Sequence, residues 1–530
     1  MATNKLKRRM TALDAGFYFA ENKKNPMHIG AVDIIDGDIN AAALAERLDA
    51  KLHLVPRYRQ KLVPAPFHVG LPTWEDDEAF DIHNHVVEVS LPKPGTEAQL
   101  MRVCGKYFEM LLDRDKPLWK FIVIRGLEGG KSAMLFLVHH CMVDGVSGTE
   151  IWSLLMDVTA DAETLEKVPF EPATLPTREQ LFSDALWDNA RDLVDNVSEF
   201  QRGSLEFARN VRGDMAIALG RNLRKLARDL TKPIKRFPFN VRTFSGRRKL
   251  SWSSVSFAEV RAIRNECGGT VNDVVLAALG GALRKYAAHH GMRVRNDSAR
   301  IFVPVSVRST EQGGSLGNKV SFLPVDVPMD ADSPVERLAA VTERTSLLKK
   351  IRFANLFDLM THFWRATATP LQRLLGAAAF APQLQGALDL VARTPLMHMV
   401  CTNVPGPQLP LYCLGKQVLA HVPLLPVAPG MGLNMGVFSY NQRIYFGFIA
   451  DSAAAPDVRL FNRYMDQAFA ELRDAAGVKP IATVEIASRP VSGTPSDSAT
   501  PIGEVLAKEI AAALKAEKKP AAPAVVEVNV

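Results

Sequence analysis

Two neighbouring histidines end an apolar run and are followed by Asp-Gly. The stretch FLVHHCMVDGVSG, residues 136–148, contains His139, His140, Asp144 and Gly145. Because imidazole titrates close to neutral pH, one of these histidines could act as a general base. The aspartate could orient that histidine directly, or it could brace the loop by pairing with a distant arginine.

The residues around the pair predict a strand, a turn and a helix. Residues 133–138 are continuously apolar, as in a strand that is buried on both faces. Gly145 permits backbone conformations that other residues avoid, which suits a sharp bend. Apolar residues then recur at helical spacing, at Ile151, Leu154, Leu155 and Val158. If the strand extends through both histidines, they should face opposite sides, because side chains alternate across a strand.

A second histidine pair, His289 and His290, serves as a comparison. It ends the predicted helix NDVVLAALGGALRKYAA and precedes Gly291. A basic residue suits the C-terminal end of a helix dipole, and glycine suits the position that follows. We therefore interpret this pair as structural. A lone histidine at a strand end is also most often a packed residue, so position by itself does not identify a base.

Other catalytic motifs are poorly supported by the sequence. Residues 313–317 read GGSLG and match G-x-S-x-G, but a strand-like segment follows, whereas a nucleophile elbow needs a helix there. The sequence contains no H-E-x-x-H motif, no phosphate-binding loop and no dinucleotide fingerprint. A base that acts directly on a substrate hydroxyl or amine is the simplest use of the histidine motif.

The composition indicates a soluble globular protein with more than one domain. Of 530 residues, 47% are hydrophobic and 23% are charged. The five cysteines are scattered and none forms a C-x-x-C pair, which argues against a zinc ribbon and favours a reducing compartment. We find no apolar segment after the basic N-terminus and no run of about 20 apolar residues. The sequence therefore predicts a cytoplasmic protein without a transmembrane helix.

The positive charge is concentrated in one block. Residues 202–249 contain 14 Lys and Arg against three Asp and Glu, a local charge of +11 in a chain of net charge +7. Leucines at roughly helical spacing make the block amphipathic. A solvated linker helix and a helix that lies on an anionic membrane both fit this pattern. Nucleic acid is not expected as a partner, because the block lacks interleaved aromatics and no nucleic-acid motif accompanies it.

Strand and helix patterns divide the chain into two α/β halves of similar size. We predict an N-terminal half over 1–185 that carries the histidine motif, a basic helical connector over 186–240, and a C-terminal half over 241–486. The tail, residues 487–530, is rich in Ser, Pro, Ala and Lys and is predicted to be disordered.

The motif HHxxxDG resembles the signature of the coenzyme-A-dependent acyltransferase superfamily. Further stretches resemble the bacterial wax ester synthase/diacylglycerol acyltransferases, in family order along the chain. They are LDAGFYF, NPMHIGAVDI, PTWEDDEAFDIHNHV with LPKPG, KPLW, VNDV at 271–274, PVSVR at 304–308, Gly317-Asn318, and NVPGP at 403–407. Cys141 and Thr402 stand where the family more often has Ala and Ser.

The resemblance implies a fold, an activity and a set of site residues. The fold would be α/β (α+β), with two chloramphenicol-acetyltransferase-like domains and an active-site tunnel between them. The reaction would move a long acyl group from acyl-CoA to diacylglycerol or a fatty alcohol, with acyl-CoA as co-substrate and no metal or other cofactor. His140 would be the general base and His139 would point inward. Asp144 would pair with Arg308, and Asn272 would matter for catalysis.

Two other functions stay open. One is an acyltransferase or condensation enzyme with another hydroxyl or amine acceptor; the chain shows no appended carrier domain. The other is a non-catalytic protein that binds acyl-CoA or lipid, against which the intact motif residues argue. For the leading function, the poor solubility of the acceptors would give the basic block a role in peripheral attachment to the inner membrane or to lipid droplets.

Overall fold

The computed structural model describes most of the chain in two sheet-rich halves. Two six-stranded mixed sheets carry helices on their faces, and a two-stranded ribbon accompanies the first sheet. The predicted α/β class with two such halves is therefore confirmed, whereas the tunnel between them stays a prediction. The described residues are 8–142, 150–161, 166–191, 234–241, 243–294, 297–306, 320–331, 333–350 and 397–481.

The helices and strands follow the predicted alternation. The helices are α1 (Ala12–Ala20), α2 (Ala41–Lys51), α3 (Glu97–Glu109), α4 (Glu150–Leu155), α5 (Phe257–Cys267), α6 (Val271–His289), α7 (Pro334–Lys350) and α8 (Val458–Ala475). The first strands are β1 (His28–Ile35), β2 (Gln60–Val63), β3 (Thr73–Asp76), β4 (Val86–Ser90), β5 (Trp119–Leu127), β6 (Lys131–His139) and β7 (Arg248–Ser256). The others are β8 (Ser298–Ser306), β9 (Val320–Pro328), β10 (Met399–Pro405), β11 (Tyr412–Cys413), β12 (Lys416–Leu424), β13 (Leu433–Tyr440) and β14 (Arg443–Asp451). A further helical segment covers residues 178–191.

The strand that ends on the histidine pair lies inside the first sheet. Its strand order is β11-β12-β1-β6-β5-β4, and β6 pairs antiparallel with both neighbours. Every residue of β6 after Lys131 is buried, which confirms the strand predicted from the continuous apolar run. A strand covered on both faces needs apolar side chains at every position, because neither face meets water.

The second sheet has the order β7-β14-β13-β10-β8-β9. Its two parallel pairs join β10 to β13 and to β8. The helix α6 packs against α8 and α7 on this half. Fourteen of its 19 residues are buried, because helices cover it on more than one side.

Two strands of the second half complete the first sheet. β12 pairs antiparallel with β1, and β11 pairs with β12. His421 Nδ1 on β12 donates to Asp33 Oδ1 on β1 at 2.7 Å, and Trp152 Nε1 donates to the other oxygen at 2.9 Å. Residues 412–424, placed in the range 241–486 by sequence, thus belong to the first sheet.

Some of the predicted segments lie wholly or mostly outside the described residues. The boundaries at 185, 240 and 486 stay predictions, since most of the connector and the whole tail are not described. Within the described ranges, no helix is both long and apolar enough to cross a membrane.

Two glycines of the second sheet allow β12 of the first sheet to pass close to it. Gly436 and Gly447 lie opposite each other on β13 and β14. A Cβ atom at Gly436 would lie 2.9 Å from the carbonyl oxygen of Pro423, and one at Gly447 would overlap that oxygen. The absence of side chains therefore lets the backbone of β12 approach the sheet closely.

We expect Gly447→Ala to destabilise the fold by about 1–3 kcal/mol, because the new methyl group must displace the backbone of β12. Urea unfolding monitored by tryptophan fluorescence would measure the loss. Gly16→Ala is the control, because a Cβ atom there meets nothing within 4 Å and alanine favours the helix α1. Equal stability of Gly447→Ala and wild type would contradict the proposed close approach.

The comparison pair His289 and His290 caps a helix, as predicted. α6 ends at His289, the backbone N–H of His290 donates to Tyr286, and Gly291 has a φ of +68°. His290 Nε2 lies 3.0 Å from Asp457 Oδ2, and the Tyr286 hydroxyl donates to Oδ1 of the same carboxylate at 2.8 Å. A nitrogen of each histidine and an Asp457 oxygen lie within 4.8 Å of one another, but these helix-end contacts already account for the cluster.

Candidate active site

The histidines of the motif lie where β6 ends. His139 is the last residue of the strand, and His140 begins a 3₁₀ turn, His140–Met142. His139 is fully buried, whereas His140 is partly exposed. The pair thus has one buried and one partly exposed member. Because β6 ends at His139, this difference comes from the 3₁₀ turn and not from alternation along the strand. Asp144 and Gly145 lie outside the described residues.

The imidazole of His140 rests on an aromatic ring from the first helix. Phe17 of α1 stacks on it with the ring centroids 3.8 Å apart and the planes 15° from parallel. α1 begins at a capped turn in which Thr11 accepts from the backbone N–H of Asp14. Stacking leaves the imidazole few orientations, so its nitrogens point in fixed directions.

His139 is committed to structural hydrogen bonding. Its Nδ1 accepts from the backbone N–H of Cys141 at 3.1 Å. A neutral ring that accepts at Nδ1 carries its proton on Nε2, and that nitrogen lies 3.4 Å from Glu21 Oε1. Both nitrogens of His139 are therefore directed at protein groups.

Glu21 is a buried carboxylate held by several donors. Its Oε1 accepts from the backbone N–H of Met27 at 3.0 Å, and its Oε2 accepts from Arg114 Nη2 at 3.2 Å. Burial by itself raises the pKa of Glu21, but its interactions with His139 and the backbone N–H of Met27 outweigh burial and lower the pKa to about 2. Glu21 is therefore ionised near neutral pH.

A third histidine, His28, completes the buried cluster. It pairs with His139 across β1 and β6, and its Nε2 donates to the carbonyl of Met110 at 2.6 Å. Burial lowers the pKa of His28 to about 4, although the charge of Glu21 opposes the shift. His28 is thus neutral, and its Nδ1 lies 3.8 Å from Glu21 Oε1.

The surroundings of His140 favour its neutral form. Burial lowers the pKa of His140 to about 4, while hydrogen bonding to its own backbone acts in the opposite direction. Its Nδ1 is buried and has no hydrogen-bond partner elsewhere in the described residues. An unprotonated imidazole at neutral pH is the form that can accept a proton.

Asn272 lies on the second half, in the first turn of α6. Thr270 and Asp273 cap this helix reciprocally, and Thr345 also donates to Asp273. The Oδ1 of Asn272 is buried and has no hydrogen-bond partner in the described part of the chain. No hydrogen bond among these residues joins Asn272 to either motif histidine. Arg308, the sixth predicted residue, lies outside the described residues.

The KPLW stretch forms one wall behind the histidines. Trp119 is 1% exposed, donates from Nε1 to the carbonyl of Tyr58 at 2.8 Å and stacks on His85. The carbonyl of Leu118 accepts from the backbone N–H of His139 at 2.9 Å. The KPLW stretch therefore holds the end of β6 in place by packing and by one backbone hydrogen bond.

Sequence analysis missed the residues that surround the pair. Phe17, Glu21, His28 and Arg114 lie in or near stretches that carried the family resemblance, but no spacing rule assigned them to the site. Glu21 and Arg114 are 93 positions apart. The one sequence signal for them is Glu21, an acidic residue directly after an apolar helix, where a carboxylate is unusual unless it has a partner.

Profiles of two known domains match the chain. Residues 10–275 match the wax ester synthase/diacylglycerol acyltransferase catalytic domain, and residues 316–473 match the C-terminal domain of the same proteins. The chain therefore belongs to the wax ester synthase/diacylglycerol acyltransferase family, as the motifs indicated.

Individual relatives agree with this assignment. A protein of Mycobacterium tuberculosis named a probable diacylglycerol O-acyltransferase is 31% identical over 477 residues, which cover 87% of this chain and 95% of that protein. The fold is similar to that of the wax ester synthase/diacylglycerol acyltransferase of Marinobacter aquaeolei, with a TM-score of 0.61, 24% identity and coverage of 89% and 100%. It is also similar to the first condensation domain of the CDA synthetase, with a TM-score of 0.52, 14% identity and coverage of 92% and 99%.

Proposed function

We propose that this protein is an acyl-CoA-dependent O-acyltransferase that acylates diacylglycerol, long-chain fatty alcohols or both, with His140 as general base. The observation that carries the proposal is that His140 is partly exposed at the end of β6 while its imidazole, stacked on Phe17, is held neutral, in a chain of this family. His139 cannot take the same role, because both of its nitrogens face protein groups.

In this reaction the acyl group moves directly from the sulfur of CoA to the hydroxyl oxygen of the acceptor. Because Nδ1 of His140 is buried, we assign Nε2 as the basic nitrogen. Nε2 accepts the hydroxyl proton as the acceptor oxygen attacks the thioester carbonyl. The tetrahedral intermediate then expels the thiolate of CoA, which receives the proton from the imidazolium. A thioester is activated, so no covalent acyl-enzyme intermediate and no metal is required.

Three further residues have proposed roles in this reaction. Asp144 would pair with Arg308 and brace the turn that follows His140, and the contact would hold two loops of different halves together. Asn272 positions a substrate, and its buried, unpartnered Oδ1 fits an acceptor that is completed by a donor on a ligand. Preorganised donors at the oxyanion would contribute more than the base alone.

The acceptor assay tests the function directly. Purified protein would be mixed with palmitoyl-CoA and with hexadecanol, dioleoylglycerol or no acceptor, and CoA release would be followed with a thiol reagent. We expect release that depends on an acceptor, and the faster acceptor identifies the main product. Folded protein that releases no CoA with either lipid would contradict the proposal. Release with an amine acceptor alone would instead favour a condensation-type reaction, for which the likeness to a condensation domain provides a precedent in fold.

The low pKa of His140 predicts the acid limb of the pH profile. Because burial lowers this pKa to about 4, the imidazole stays neutral well below pH 6.5. We expect kcat/KM to be level from pH 8 to about 5 and to fall as the pH passes through about 4, where the base becomes protonated. Initial rates measured across this range would check it. A midpoint near 6.5 would show that the ring of His140 is not shielded.

Buried neutral histidines require a stability control in that experiment. Burial lowers the pKa values of His28, His85 and His398 to about 4. A lowered histidine pKa contributes stability that is present above pH 6.5 and is lost as the pH falls from there towards 4. Each acid sample should therefore be returned to pH 7, and only points with full recovery of activity should be used.

We further propose that the protein works in the cytoplasm and attaches peripherally to a lipid surface, the inner membrane or a lipid droplet. The charge of +11 over residues 202–249 would attract anionic lipids. Two aromatic side chains outside this block are also exposed: Trp187, which precedes it, is 77% exposed, and Phe67 is 87% exposed. Exposed aromatic side chains insert readily into a lipid interface.

Vesicle flotation would test this attachment. Neutralising Arg221, Arg224, Lys225 and Arg228 together should reduce binding to vesicles that contain phosphatidylglycerol, because the basic block would lose four charges. Unchanged binding of this variant would contradict a role of the block.

A further inference from the structure

One carboxylate oxygen, Glu21 Oε1, is linked through other groups to the backbone of both His140 and Cys141, the first two residues of the turn that carries the proposed base. Glu21 Oε1 accepts from the backbone N–H of Met27 at 3.0 Å. The carbonyl of Met27 in turn accepts from the backbone N–H of His140 at 2.8 Å. One side of the His140 backbone is therefore tied, through one intervening residue, to Glu21.

The other side of the turn is tied to the same oxygen. Glu21 Oε1 lies 3.4 Å from Nε2 of His139, and Nδ1 of His139 accepts from the backbone N–H of Cys141 at 3.1 Å. The backbone N–H groups of two consecutive residues, His140 and Cys141, thus both reach Glu21 through a partner. Loss of the carboxylate would release both constraints at once.

Glu21 is also held firmly in place. Its side chain is 1% exposed. Arg114 Nη2 donates to Glu21 Oε2 at 3.2 Å and to the carbonyl of Tyr18 at 2.7 Å, and its guanidinium lies 4.1 Å from the centre of the Tyr18 ring. Burial of a carboxylate is costly unless donors compensate for the lost water. Here the groups that compensate the carboxylate include Met27 and His139, which also contact the backbone of the turn that carries His140.

We propose that Glu21 is a positioning residue for the acyl transfer: through His139 and Met27 it holds the turn that aims His140 at the acceptor hydroxyl. The inference rests on the proposed function, in which His140 is the base. Glu21 does not touch the reacting atoms. Its effect should therefore appear in the rate of the chemical step and not in the binding of acyl-CoA.

Two substitutions separate the charge from the hydrogen bonds. Glu21→Ala removes both, and we expect kcat to fall about 10²-fold with little change in the KM for palmitoyl-CoA, since a displacement of about 1 Å can cost that much. Glu21→Gln keeps an oxygen that can accept from Met27 and His139, so it should retain more activity than Glu21→Ala. A rise in KM with unchanged kcat in both variants would overturn the proposal.

The second half offers a matched control. Glu259 is also buried; it accepts from the backbone N–H of Ile481 at 2.8 Å and lies 3.7 Å from Arg473. It thus has a backbone donor and an arginine, as Glu21 does, but none of its hydrogen-bond or ion-pair partners is a motif histidine. Glu259→Ala should leave kcat within about twofold of wild type after correction for the folded fraction. An equal loss of kcat in Glu259→Ala and Glu21→Ala would show that the loss in Glu21→Ala comes from general destabilisation and not from the position of His140.

Hydrogen–deuterium exchange provides a readout that does not depend on activity. In Glu21→Ala, the peptide that covers residues 139–142 should exchange at least about tenfold faster, while peptides of β13 and β14 keep their wild-type protection. Unchanged exchange at 139–142 would overturn the inference. If wild type releases no CoA with any acceptor, the proposed function fails; if wild type is active and Glu21→Ala matches it, only the positioning role fails.

Discussion

His140→Ala should lose acceptor-dependent CoA release by about 10²–10⁴-fold, the range that a general base contributes. The loss should appear in kcat/KM for the acceptor, because the imidazole acts in the transition state for attack on the thioester. The fold should tolerate the change. His140 is partly exposed and lies in a 3₁₀ turn after β6, and its main packing partner is the ring of Phe17. Thiol release with saturating palmitoyl-CoA would measure the effect.

The other histidine pair supplies the control for this prediction. His290→Ala removes an imidazole that bonds Asp457 at the end of α6, and it should leave the rate of acyl transfer unchanged. Release that survives in His140→Ala would assign the base to another residue. Loss in both variants would indicate damage to the fold and not to the chemistry.

Asp451→Ala should destabilise the protein by about 3–5 kcal/mol, because removal of one partner leaves a buried charge without compensation. Asp451 is completely buried, and its carboxylate accepts from Arg248 Nη1 at 3.0 Å and from the backbone N–H groups of Ser245 and Gly246. Arg248 is also buried, and its Nη2 donates to the carbonyl of Lys24 at 2.9 Å. The pair thus joins the second half to the segment that precedes β1.

Urea unfolding at pH 7 would give the change in the free energy of unfolding. Asp38→Ala is the control, because Asp38 pairs with Arg125 at the surface with about half of its side chain exposed; exposed pairs contribute about 0–1 kcal/mol. We also expect Arg248→Met to cost less than Asp451→Ala, because the remaining carboxylate keeps the backbone N–H donors of Ser245 and Gly246. Similar, small losses in Asp451→Ala and Asp38→Ala would show that water reaches the buried pair.

The local elements of both halves could be predicted from the sequence. The apolar run before His139 predicted a doubly buried strand, and β6 is buried at every position after Lys131. The spacing of apolar residues after the motif predicted the helix α4, but the helix ends at Leu155, so Val158, which was expected on the same face, lies beyond it and is exposed. The pair at His289 and His290 was correctly separated from the motif, because glycine and a basic residue mark a helix end. These patterns depend only on neighbours in the chain, which the sequence contains directly.

The family and the identity of the candidate base also followed from short motifs. HHxxxDG and the stretches in family order indicated the wax ester synthase/diacylglycerol acyltransferase family, which the matches over residues 10–275 and 316–473 confirm. His139 is buried and His140 is partly exposed, but the predicted alternation does not explain this, because β6 ends at His139. The roles assigned to Asp144, Arg308 and Asn272 stay predictions.

Only the tertiary structure decided which distant groups meet. β11 and β12 complete the first sheet although they follow 400 residues of chain, and the pair of Asp33 and His421 spans 388 positions. Periodicity reports whether a side chain is buried, but not which partner it meets. The chain by itself therefore determined the strands and helices, and its motif indicated His140 as the candidate base. Its folding determined that Phe17 and Glu21 lie behind that histidine, because such contacts depend on the packing of elements that are far apart in sequence.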